Sequence, residues 1–312
     1  MTSAAPTTND VELLAPAPAP ARTKDGRLRR AVTWASRAVE SLDVFDTCAV
    51  ASLITLLMYG PKPWYARAIV GLLGTAMLLV PQIRRSSVAW YAMFCATAAA
   101  VFLEWHRVDN HKYLTAYWVL AVFVALKSTD PARTLALSAR WILALVMGFA
   151  VAWKVASTDY LSGEFFRHAL VFDPRFSSIA RLLDIDRSVI MQDRQALVTI
   201  ANALRPDQAS EALQSHVRLD QIARFITYFG LGVEAAIAVC FVAPARSLLG
   251  RWRDLPLLVF LATTYSLATV VGFAYLLAAM GFAQARRPWA RLGYVAIIPW
   301  IQLYTMQMRV FL

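Results

Sequence analysis

Eight apolar stretches, at residues 43–59, 65–82, 88–105, 113–127, 138–156, 222–243, 255–283 and 292–311, leave this chain few folds to adopt. Each is scored against the roughly 20 residues that an α-helix needs to cross the hydrocarbon of a bilayer. In hydrocarbon a backbone must satisfy its own N–H and C=O groups, and a helix does so within one segment. Composition agrees: 59% of residues are apolar, mean hydropathy is +0.50, and 16% are charged, against about 25% in soluble domains. The expected fold class is therefore all-α, a polytopic integral membrane helical bundle of about eight transmembrane helices. Stretches one and four are short. The last carries Gln302, Gln307 and a mid-run Pro299, which make it amphipathic and leave seven as the alternative count.

The net charge of +11 would suit a nucleic-acid partner in a soluble protein. Here the basic residues sit in short loops between apolar runs, as positive-inside topology explains, so no nucleic-acid binding is expected. Residues 1–37 read as a disordered, basic, cytoplasmic N-terminal tail. Its first part, with APAPAPA and scattered polar residues up to 21, cannot bury enough apolar surface to offset chain entropy. Arg22, Lys24, Arg27, Arg29, Arg30 and Arg37 then form a basic, partly helical segment ending at Ser41, a candidate N-cap for the first span. A cleaved signal peptide is not expected, because the apolar run starts only near residue 44 and no small-residue cleavage site follows it. Residues 38–312 form the transmembrane domain of a multi-pass protein, placed in the cell membrane with a cytoplasmic N-terminus.

That orientation puts Arg84 and Arg85, then Lys127, Arg133 and Arg140, then Arg246, Arg251 and Arg253 on the cytoplasmic side. Arg286, Arg287 and Arg291 fall outside, a conflict that a miscounted span near the C-terminus would remove. The connection 157–221 is too long for a loop without structure. Leu197, Ile200, Ala201 and Leu204 recur at helical spacing and Arg205-Pro206 opens another turn, so two to four short interfacial helices are expected there. They form either a cover over a membrane cavity or plain interfacial padding.

Several chemistries find no support in the residues. Cys48, Cys95 and Cys240 each fall in a different apolar stretch without CxxC or Cys/His spacing, so neither disulfide nor zinc is expected. The four histidines, at 106, 111, 168 and 216, form no HExxH pattern, and GLG at 230–232 lacks the strand of a dinucleotide fingerprint. Asp184 and Asp186 lack the glycine and closing glutamate of a calcium loop. No metal is expected.

Three ionisable features remain. Lys154 stands within the fifth stretch, after a run without charge from Trp141 to Trp153, in a chain whose other lysines number only four. A lysine in hydrocarbon costs about 3 kcal/mol by insertion scales, so it either snorkels to the interface or serves a function. Before the fourth stretch lies the polar run Glu104-Trp105-His106-Arg107-Val108-Asp109-Asn110-His111-Lys112-Tyr113-Leu114, either a solvated turn or part of a site facing the same side as Lys154. Glu234 lies near mid-membrane in the sixth stretch, and a carboxylate there must be protonated or paired, with Lys154 or His111 as the candidate partner.

The motifs Asp109-Asn110-His111-Lys112-Tyr113-Leu114 and Lys154 followed by Asp159-Tyr160-Leu161-Ser162-Gly163-Glu164 resemble the horizontally transferred transmembrane (HTTM) domain family. This is the membrane part of vitamin K-dependent gamma-glutamyl carboxylase, present also in many bacterial proteins. The resemblance covers roughly residues 38–310, with Tyr160 standing where the family usually has tryptophan. It implies a site on the extracytoplasmic side and a quinone cofactor, menaquinone or vitamin K-like. It further implies catalytic roles for Lys154 and His111, the lysine in hydroquinone activation or charge stabilisation. Asn110, with His111, is implied as a partner of the quinone oxygens, and Tyr113 and Glu234 as cofactor-binding residues.

The functional expectation is a quinone-dependent oxidoreductase or carboxylase-like enzyme embedded in the membrane. Its partners are the lipid bilayer and a membrane quinone, and the residues do not name a protein or peptide substrate. The alternative is a non-catalytic membrane protein, such as a peptide-maturation or immunity helper or a transporter-like bundle. Transport would favour internal repeats and broken helices in matching halves, and the sequence displays neither.

Overall fold

The computed structural model of the chain describes residues 24–106, 108–173, 217–267 and 270–310, together with Phe176 and Gln195. Among these residues the fold is all-α, without a strand. In chain order the helices are α1 (Lys24–Glu40), α2 (Val44–Tyr59), α3 (Trp64–Leu79), α4 (Pro81–Arg84), α5 (Ser87–Leu103), α6 (Asn110–Leu126) and α7 (Pro131–Ala156). There follow α8 (Thr158–Ser162), α9 (Glu164–Phe172), α10 (Val217–Val242), α11 (Leu248–Trp252), α12 (Asp254–Leu267), α13 (Val271–Gln284) and α14 (Pro288–Val310).

Their starts follow from side-chain capping. Asp43 accepts the Asp46 N–H, Ser86 that of Ala89, and Asp130 that of Arg133, with Pro131 in the first turn of α7. The first cap is Asp43 rather than Ser41, whose hydroxyl instead donates to the Ala38 carbonyl inside the end of α1. The basic segment expected to be partly helical is helical from Lys24 to Glu40, and residues 1–23 of the expected tail lie outside the described residues.

Two helices, α7 and α10, are long and apolar enough to cross a membrane. Each has 26 residues, about 39 Å at ~1.5 Å per residue. A third crossing is present if Val32–Glu40 and α2, bent by 95°, count as one span. Shorter apolar helices, α3, α5 and α13 among them, pack around these, and the whole is consistent with membrane association.

Interhelix bonds gather helix ends at two faces. On the first, Arg85 Nη2 bonds Asp46 at 2.6 Å, and Arg140 donates to the carbonyls of Phe241, Val242 and Ala243. On the second, Lys112 Nζ donates to the carbonyls of Tyr59 and Gly60, and Tyr228 Oη donates to that of Leu161.

The apolar run 255–283 is a correction to the expected topology. It folds as two 14-residue helices, α12 and α13, that return on themselves. Arg253 Nη2 donates to the Gln284 carbonyl at 3.0 Å, and Gln284 Nε2 donates to Asp254 Oδ1 at 2.5 Å, so the run begins and ends in one place. A hydropathy pattern does not register a break inside a mostly apolar run; the polar groups bracketing the run record it instead. Arg286, Arg287 and Arg291 therefore lie at the same end of the bundle as Arg253. α13 is buried along nearly its whole length, as a helix apolar all round must be. At Gly281 a Cβ would stand 2.3 Å from the Tyr294 ring, so glycine is what lets α14 approach.

Candidate functional site

The site forms where α7 ends. Ser157 leaves α7 and caps α8 by accepting the Tyr160 N–H, so the chain turns immediately after Lys154. Gly163 then takes the left-handed conformation, φ 89°, and α9 doubles back. A Cβ at Gly163 would lie 3.2 Å from the Arg224 side chain and within 3.5 Å of its backbone, so this turn rests against α10. Leu170, Val171 and Ala169 of α9, with Phe176, pack on Leu219 and Ala223 in a second small core. Two short helices thus lie over the end of the α7–α10 pair, the described part of the cover or padding expected across 157–221. The helical pattern at Leu197 to Leu204 lies outside the described residues.

Under this cover Lys154 Nζ stands 2.5 Å from both Oε1 and Oε2 of Glu234. The side chains are 24% and 9% exposed. Glu234 occupies the core face of α10 with Thr227, Ile237 and Phe241. Of the two partners open to it in the sequence, it takes the lysine. The Lys154 ammonium also lies 5.1 Å from the Tyr160 ring centroid, a cation–π contact. Tyr160 is only 6% exposed, and its hydroxyl has no hydrogen-bond partner among the described residues. Burial, and then the charge of Glu234, push this phenol upward from its ordinary pKa, so at neutral pH it is a donor without an acceptor.

The second motif enters the site only at a distance. The His111 ring, in the first turn of α6, lies 6.4 Å from that of Phe273, which lies 6.1 Å from that of Tyr265. Among the described residues no hydrogen bond or ion pair joins His111 to Lys154 or Glu234. Asn110 is exposed at the helix start, and Tyr113 Oη donates to the Trp105 carbonyl. Lys112 caps the C-terminus of α2, satisfying carbonyls that the helix end leaves open. So Lys154 and Glu234 are brought together, while His111 meets the Phe273 ring, Asn110 is exposed and Tyr113 bonds the Trp105 carbonyl.

Two polar features have no counterpart in the sequence reading. One is Tyr160 as the ring beneath the ammonium, which the spacing Lys154 to Tyr160 gives no means of predicting across a helix break. The other is the cluster Arg253, Asp254, Gln284 and Tyr294 at the first face, with Tyr294 Oη donating to Asp254 Oδ1 at 3.0 Å. Among the described residues no group of three or more His, Cys, Asp or Glu side chains is placed to hold a metal ion. Comparison with protein-family models, curated proteins and solved structures finds no match to this chain.

Proposed function

We propose that this chain is a multi-pass membrane protein in which Lys154 and Glu234 serve a quinone of menaquinone or vitamin K type at the extracytoplasmic face. The single observation carrying this reading is the buried ion pair between two helices apolar enough to cross a bilayer. Burying two charges costs more than their attraction commonly returns, so such a pair marks a function more readily than a gain in stability. The ammonium offers a positive charge to a developing oxyanion. Transfer of its proton to Glu234 leaves a neutral amine, which is a base. Tyr160 offers a hydroxyl with no protein acceptor, as a quinone oxygen requires, so the residues fit that group. A bound quinone would supply the redox chemistry; the chain holds the proton and the charge. His111, against Phe273, and Asn110 then act at longer range. The likeness of the two motifs to the HTTM family supports the same ligand.

On this reading α2, α3, α5, α6, α7, α10 and α14 cross the membrane, while α12 and α13 enter and leave on the cytoplasmic side. That arrangement places Arg84, Arg140, Arg253 and Arg287 together inside, as positive charge requires. A second reading, a non-catalytic membrane protein, draws on the same geometry: Lys154 and Glu234 satisfy one another and tie α7 to α10. The test is the quinone extracted per mole of protein purified in detergent. About one per chain is expected, falling at least tenfold in Lys154→Ala and less in His111→Ala. No quinone in the wild type, with both variants behaving as wild type in the cell, leaves only the second reading.

A further inference from the structure

Helices α7 and α10 are tied at two levels and part between them. One tie is Lys154–Glu234; the other is Arg140, whose Nε donates to the Phe241 carbonyl at 2.8 Å and whose Nη2 donates to those of Val242 and Ala243. Between the ties runs a groove of about 610 Å³, walled by Ala144, Gly148 and Ala152 of α7 and by Ala238, Val239 and Val242 of α10. No polar side chain lines it. A Cβ placed on Gly148 would meet nothing within 4 Å, so the space is open above the missing side chain. Both walls belong to the helices fit to cross a bilayer, which opens the groove to hydrocarbon. Its length from Ala144 to Ala152 is about 12 Å at ~1.5 Å per residue.

The Arg140 end differs in kind from the apolar walls. With Nε and Nη2 committed to carbonyls, Nη1 has no hydrogen bond among the described residues. The guanidinium lies 5.5 Å from the ring centroid of Trp141, which is half exposed, as an interfacial aromatic anchor is. Arg246, just past the end of α10, is exposed. A cation facing water at one end of an apolar trough is complementary to an amphiphile with an anionic head.

We propose that this groove is a binding site for one anionic phospholipid, its phosphate on Arg140 with Arg246 beside it and one acyl chain laid against Gly148. The site depends on α7 and α10 crossing the membrane and not on a quinone at Lys154. The test is native mass spectrometry of the full chain in mild detergent, titrated with phosphatidylglycerol, phosphatidylcholine or menaquinone. Phosphatidylglycerol is expected to be retained about tenfold more tightly than phosphatidylcholine. Gly148→Leu fills the groove without a clash and should weaken that retention at least tenfold. Arg246→Gln should weaken it about threefold and reduce its salt dependence. Equal retention of the two phospholipids, or wild-type retention by Gly148→Leu, overturns the proposal. So does displacement of the lipid by menaquinone, which would assign the groove to the quinone. A dimer mass abolished by Gly148→Leu overturns it also, by making the groove an interface between two copies.

Discussion

Two buried polar clusters sit at opposite faces of this bundle, and they are built on different plans. At the first face Asp254 accepts hydrogen bonds from Gln284 and Tyr294, while Arg253 reaches the Gln284 carbonyl and lies over the Phe241 ring. None of these four residues is more than 4% exposed, and together they pin both ends of the α12–α13 hairpin to α14. At the second face Lys154 and Glu234 have each other, Lys154 keeps a quarter of its side chain accessible, and the Tyr160 hydroxyl has no acceptor. The clasp is sealed and joins three helices; the pair is reachable. Burial of charge therefore does not by itself identify a site. An accessible member is the better signature, since the clasp too holds unpartnered donors, Arg253 Nε and Nη1.

Breaking the clasp should have the largest effect on folding. Asp254→Leu leaves Gln284 and Tyr294 without their common acceptor and Arg253 without the neighbouring carboxylate; it is expected to cost about 3–5 kcal/mol, read as a lower midpoint of thermal unfolding in detergent. The quinone bound per folded molecule should not change. Lys154→Met or Glu234→Leu alone should cost about 2–4 kcal/mol, less than a sealed charge because part of the lysine is solvated. The double variant should return to within about 1 kcal/mol of wild type, since neither charge is then orphaned. A double variant as unstable as the sum of the singles would mean that the pair is not coupled.

Smaller changes sharpen the contrast. Gly163→Ala forces a side chain into φ 89° against Arg224 and should cost about 1–2 kcal/mol, loosening the cover first. Faster amide exchange in α8 and α9, with α7 unchanged, is the expected reading. Tyr160→Phe removes a hydroxyl that bonds nothing in the protein and should alter stability by less than about 0.5 kcal/mol. The same change should weaken quinone retention about fivefold, within the range of one lost neutral hydrogen bond. Because the phenol's pKa is raised, its donor form persists above pH 10, and quinone retention should not fall between pH 8 and 10 on its account. A large stability loss in Tyr160→Phe would show that the hydroxyl has a protein partner after all.

Much of the fold was legible in the sequence because most helices are separated by loops with clear signals: Pro61 and Pro63, Ser86, Asp130 with Pro131. The turn between α12 and α13 was not legible, since neither glycine nor proline stands between Leu267 and Val271. The polar residues bracketing the run and the misplaced arginines 286, 287 and 291 were its trace in the sequence. The Lys154–Glu234 pairing was legible because two charges within apolar helices have few ways to be satisfied. The distance of His111 from that pair was not, because it is set by Phe273 and Tyr265 on the hairpin that the hydropathy profile concealed.

The measurement that bears most directly on the Lys154–Glu234 pair as a ligand site is the quinone content of Lys154→Met/Glu234→Leu, compared with wild type at matched thermal stability. The predicted result is about one quinone per wild-type chain and none in the double variant, though both fold. Equal quinone in the two proteins, or none in either, would reduce the pair to a tie between helices.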